Sequence, residues 1–107
     1  MQLHECSPEF MLEELEKRSE EWTRAEILAG ETEATFKAYE AVSALAYRDS
    51  GMAMNEAEKR VRAGEEWPKR YSSLQKAHAE VGEARRAYQR AVEAIGLWRS
   101  ESATRSV

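Results

Sequence analysis

Two histidines and a single cysteine are the residues best equipped to hold a metal or move a proton. His4 and Cys6 stand two apart near the start of the chain, and His78 lies far along it. A zinc site takes three or four ligands at workable spacing, and His4-Glu5-Cys6 supplies at most two from one chain. Two such arms across a dimer axis would supply more; a loose arm with incidental residues is the simpler account. His78 has the residue type of a pH sensor. At the edge of a helical seam, with Glu80 nearby, it serves equally as a solvated or hydrogen-bonded filler.

Glu13, Glu14, Glu16, Glu20 and Glu21 are dense enough to suggest paired carboxylates. Acid–base work needs environments that push two carboxyl pKa values apart. These glutamates fall on outward helical positions with Lys17 and Arg18 between them, which makes a solvated charged face. No glycine-rich phosphate loop, nucleophile elbow or Glu-x-x-His pair is present. The sequence predicts a non-enzymatic protein without catalytic residues, metal or cofactor.

Two binding chemistries remain. Arg85, Arg86, Arg90 and Arg99, with Lys69, Arg70 and Lys76 upstream, could neutralise phosphates while Tyr71 and Tyr88 stack on bases. Against this, Glu83 and Glu93 interrupt the run and the chain carries a net charge of −4. Protein binding draws on Trp22, Phe36, Tyr39, Trp67, Tyr71, Tyr88 and Trp98, most of them at core-like helical positions. Two helices cannot fully cover three tryptophans, so some of this surface calls for a second copy or another protein. Trp22, Phe36, Tyr39 and Trp98 are the candidate anchors, since Trp and Tyr dominate binding hot spots.

The elements that carry these residues read as helices. Trp67, Leu74, Val81, Tyr88 and Ile95 recur every seven residues, and Arg70, Ala77, Ala84, Ala91 and Trp98 follow three behind, an a/d seam over four heptads. Met11, Leu15, Trp22, Ala25, Ala29, Phe36, Tyr39 and Ala46 make a similar face upstream, widened by Leu28, Val42 and Leu45. Ser7-Pro8-Glu9 starts that first helix, which could reach about 60 Å at 1.5 Å per residue. Gly30 is its weak link, yet the seven-residue spacing of Ala29 and Phe36 crosses it, and a continuous helix is favoured. Asp49-Ser50-Gly51 is the stop. Asn55 with Glu58 resembles a capping pair opening a short helix. Trp67, restricted to extended geometry by Pro68, would sit at the corner, and Gly82 would mark a close backbone approach.

At 107 residues the chain is one domain by length. Up to Ala53 there are five Lys and Arg against twelve Asp and Glu, and from Met54 eleven against eight. An acidic half packed on a basic half would account for that asymmetry, as would a basic half meeting nucleic acid. One cysteine permits no intrachain disulfide, no basic n-region precedes an apolar core, and no uncharged apolar run nears the roughly 20 residues that span a bilayer. A cytoplasmic protein off the membrane is expected.

The stretch GMAMNEAEKRVRA from Gly51 to Ala63, followed by a long Ala/Glu/Arg helix closing on Leu97-Trp98-Arg99-Ser100, resembles short helical proteins encoded by phages and prophages. The resemblance covers the second half and carries over no functional residue. It implies either a recombination-mediator-like role or inhibition of host machinery.

The expected fold is all-α: two long antiparallel helices, 8–49 and 67–99, joined by a short helix, 55–63, with a flexible arm at 1–6 and a flexible tail at 100–107. The hairpin would dimerise into a bundle, because so thin a core is marginal alone. The expected function is a protein-binding regulator, an inhibitor or antiactivator that occupies a partner's interaction surface. Its partners would be a second copy and another protein such as a transcription regulator or other host factor. The alternatives are a nucleic-acid accessory protein using the basic C-terminal helix and a structural coiled-coil component.

Overall fold

A computed structural model describes residues 7–105 as three helices: α1, Pro8–Asp49; α2, Met54–Ala63; and α3, Glu66–Arg105. The described residues include no strand. Ser7 opens α1 as the sequence predicts: its Oγ accepts the Phe10 N–H at 3.2 Å, satisfying a first-turn donor that has no partner within the helix. The helix then runs 42 residues, straight through Gly30. It ends in a Schellman motif, with the Met52 N–H on the Tyr47 carbonyl at 3.2 Å and the Gly51 N–H on that of Arg48 at 2.9 Å. Gly51 takes φ +100, the left-handed conformation this ending requires.

The first turns of α2 and α3 differ from expectation. Ala53 stands at the α2 N-cap and makes no side-chain cap bond. Asn55 lies inside the first turn, where its Oδ1 reaches only the neighbouring Glu56 N–H, at 3.1 Å, so the Asn55–Glu58 capping pair does not form. In α3, Glu66 and Trp67 are already helical, which puts Pro68 third. A proline anywhere in the first turn forfeits no intrahelical bond. At its other end α3 continues past Arg99 to Arg105, so residues 100–105 are helix rather than tail. Ser100 Oγ donates to the Gly96 carbonyl at 3.2 Å, and extending a formed helix is far easier than nucleating one.

Contacts gather the chain into two compact units, residues 1–25 with 80–107, and residues 26–79. In the first, Met11 and Ile95 are buried and the rings of Trp22 and Tyr88 lie 5.5 Å apart. In the second, Phe36 and Leu74 are buried, and a small cluster of Ala44, Ala57 and Val61 is covered by Tyr39, Met52 and Trp67. All ten α3 seam positions, from Trp67 to Trp98, are buried or partly buried. The α1 seam departs from expectation toward its end: Ala44 is buried, while Ala46 and the expected flanking residues Leu28, Val42 and Leu45 are exposed. An α-helix drifts about 20° per heptad against a strict seven-residue repeat, so one spacing cannot face inward for six heptads. Gly82 marks no close backbone approach either, since an added Cβ would meet only the Arg86 guanidinium of its own helix, at 3.3 Å.

Candidate docking surfaces

The four aromatic residues singled out as anchors are engaged within their own units. Trp22 is partly buried against Tyr88, and its Nε1 is buried with no hydrogen-bond partner. Phe36 is only 8% exposed and touches the rings of Trp67 and Tyr71 at 5.8 and 5.9 Å. Tyr39 lies beneath the Arg70 guanidinium, 4.4 Å from its ring centroid, and Trp98 is partly buried. Arg70 thereby explains a charge in an apolar seam: it caps Tyr39 while its Nε donates to Glu66 at 3.1 Å.

Trp67 is the residue that sequence reasoning undervalued. Its ring stacks on Tyr71 at 4.8 Å, and its Nε1 donates to the Glu40 carboxylate at 3.0 Å. The i,i+4 spacing of Trp67 and Tyr71 announces the stack; no local pattern announces a bond to Glu40, 27 residues away.

Arg85, Arg86, Arg90 and Arg99 are all exposed. Arg86 and Arg90 are one turn apart on one face, whereas Arg85 and Arg99, two heptads apart, share another. The 100° between successive helical residues separates the pairs, so the four do not form a single stripe. Among the glutamates, Glu14 and Glu21 flank Arg18 at 3.7 and 3.3 Å, surface pairs worth about 0–1 kcal/mol each. Glu13, Glu16 and Glu20 are exposed, as is His78. His4 and Cys6 lie outside the described residues. Among the described residues, no group of three His, Cys, Asp or Glu is placed to hold a metal ion, and no helix is long and apolar enough to cross a membrane.

Exposed apolar surface lies elsewhere. In the unit of residues 1–25 and 80–107, Ala87, Ala91 and Ala94 floor a groove of about 440 Å³. Phe10 closes one side, and Glu14, Arg18 and Arg90 supply charges at the rim. Leu97, one turn beyond Ala94 on the flank that Arg90 shares, borders the groove and is 67% exposed. In the unit of residues 26–79, a groove of about 510 Å³ runs between α1 and α2, lined by Ala41, Ala44, Leu45, Met54 and Val61. Lys37, Glu40, Glu58 and Arg62 also line it, two charges of each sign. Alanine floors let a partner's backbone come close, and the charges around them can fix its orientation.

No protein-family model matches the chain, and neither does any curated protein or solved structure.

Proposed function

We propose that the chain is a non-enzymatic, protein-binding regulator built as an antiparallel helical hairpin that self-associates. It would act stoichiometrically, as an inhibitor or antiactivator does, by covering an interaction surface of a partner protein. The antiparallel arrangement is supported by Trp67 on Glu40 with Tyr71 on Phe36, because four residues down α1 correspond to four residues up α3. The observation that carries the docking role is the groove lined by Phe10, Ala87, Ala91 and Ala94, with the exposed Leu97 on its flank. Such a groove accepts the apolar face of an amphipathic helix. The acid-rich first half, twelve Asp and Glu against five Lys and Arg up to Ala53, would steer a basic partner toward it.

The test is affinity capture from the native cell with the wild-type chain and with Leu97→Asp, a change at an exposed position. A partner retained at one-to-one stoichiometry by the wild type, and held at least about tenfold more weakly by the variant, supports the reading. Equal retention by both proteins, with unchanged helicity, removes the groove from the interface.

A further inference from the structure

Within residues 26–79, α1 carries a second heptad seam on the side facing away from Phe36. Ile27, Ala34 and Ala41 recur every seven residues, as do Glu31, Ala38 and Leu45, and all six are exposed. Leu28 and Val42 flank this strip, and every large apolar residue on or beside it is at least half exposed, Val42 reaching 68%. Heptads of this kind pack a helix against another helix. We propose that this face docks a second copy of the chain, α1 against α1, antiparallel about a two-fold axis level with Phe36. The inference rests on the self-association included in the proposed function, and it names the surface.

The choice of a second copy comes from the symmetry of the pattern. A two-fold interface uses one patch against itself, so the patch must be self-complementary. Reversed about position 36, Ile27 falls opposite Leu45, Ala34 opposite Ala38, and Glu31 opposite Ala41. Along the flank, Leu28 of one copy meets Val42 of the other. Large residues close both ends, and alanines in the middle let the backbones approach. Glu31, the one charge on the strip, falls near its edge, where its carboxylate can reach water, and Lys37 on the opposite flank keeps its own Glu33 at 4.0 Å.

Area sets the strength. Residues 27–45 cover about 27 Å of helix, which falls short of the roughly 800 Å² per partner of a standard interface. Met54, exposed across the neighbouring groove from Leu45, widens the footprint. The resulting dimer is one that dissociates on dilution.

The test is sedimentation equilibrium of the full chain from about 1 to several hundred μM, for the wild type, Val42→Glu/Leu45→Glu and Leu97→Asp. The wild type and Leu97→Asp should pass from monomer to dimer with rising concentration. The double glutamate variant should weaken the dimer at least about 100-fold while keeping its helical circular dichroism. The register is checked separately by Ala34→Cys/Ala38→Cys in a Cys6→Ser background, which should form a covalent dimer on mild oxidation while Leu97→Cys in the same background does not. A wild-type monomer at every concentration overturns both this surface and self-association. A dimer indifferent to Val42→Glu/Leu45→Glu, or no selective crosslink, overturns this surface and leaves self-association standing. Neither outcome bears on the groove beside Leu97, whose partner is read by capture.

Discussion

Phe36→Ala separates a core residue from a docking anchor. Phe36 is 8% exposed and lies 5.8 Å from the Trp67 ring and 5.9 Å from that of Tyr71. Truncating a buried phenylalanine to alanine costs about 3–5 kcal/mol. Each of two ring contacts adds roughly 0.5–1.5 kcal/mol beyond area, which places this site toward the upper end. Whole domains are stable by only about 5–15 kcal/mol, so the loss removes a large share. At roughly 4–8 °C per kcal/mol for a chain near this size, the melting temperature should fall by at least ~12 °C. The assay is a thermal melt followed by far-ultraviolet circular dichroism, beside Val42→Ala, six residues away on the same helix. Val42 is 68% exposed, so its truncation should change stability by no more than about 0.5 kcal/mol in the isolated protomer. Equal melting temperatures for the two variants would refute the packing of α1 on α3 in this unit.

The other predictions compare matched substitutions. Gly30→Ala should stabilise by about 0.8–1 kcal/mol, because an added Cβ meets nothing within 4 Å in a helix interior. Gly51→Ala should destabilise by about 1–2 kcal/mol, because φ is +100 there. Urea titrations check both, and effects of the same sign would contradict the helix boundaries. Trp67→Phe should lower stability more than Trp22→Phe by about 1 kcal/mol or more. The first loses the bond to the Glu40 carboxylate, and the second removes a buried donor that has no partner. Chemical denaturation of the pair decides it, and a larger loss at Trp22 would show that its indole N–H is bonded after all.

The α3 seam was legible because large apolar residues repeat at seven and three of the five positions that follow them are alanine, so periodicity alone names the inner face. Both ends of α1 were legible for a different reason, since Ser7 and Gly51 act through local backbone chemistry. What the sequence hid depends on distance along the chain. Trp67 meets Glu40 across 27 residues, and Arg70 is tolerated in the seam only because Tyr39 lies beneath it. Of the aromatic residues chosen as anchors, Phe36 is buried and Trp22, Tyr39 and Trp98 are partly buried, for the same reason. Their size marks them for burial, and only the partner helix decides whether that burial occurs within the chain.

The same ambiguity applies to α1 as a whole, which carries two apolar stripes. Phe36 belongs to one, with Trp67 and Tyr71 to receive it. Ile27, Ala34, Ala41 and Leu45 belong to the other, and the described residues leave them exposed. Periodicity read along the sequence merges the two, since it assigns Leu28, Val42 and Leu45 of the outer side to the inner face. Packing ranks them, because aromatic rings on α3 fit against Phe36 and would find only alanines at the middle of the outer stripe. A helix with two such faces satisfies the first by folding, while the second remains an apolar surface of the kind that water disfavours. Small size sharpens the point, since a chain with few buried large side chains gains proportionally more from covering those left outside. The outer stripe is thus where covering apolar surface would add most to stability, and its two-fold pattern is the reason a second copy is the partner proposed for it.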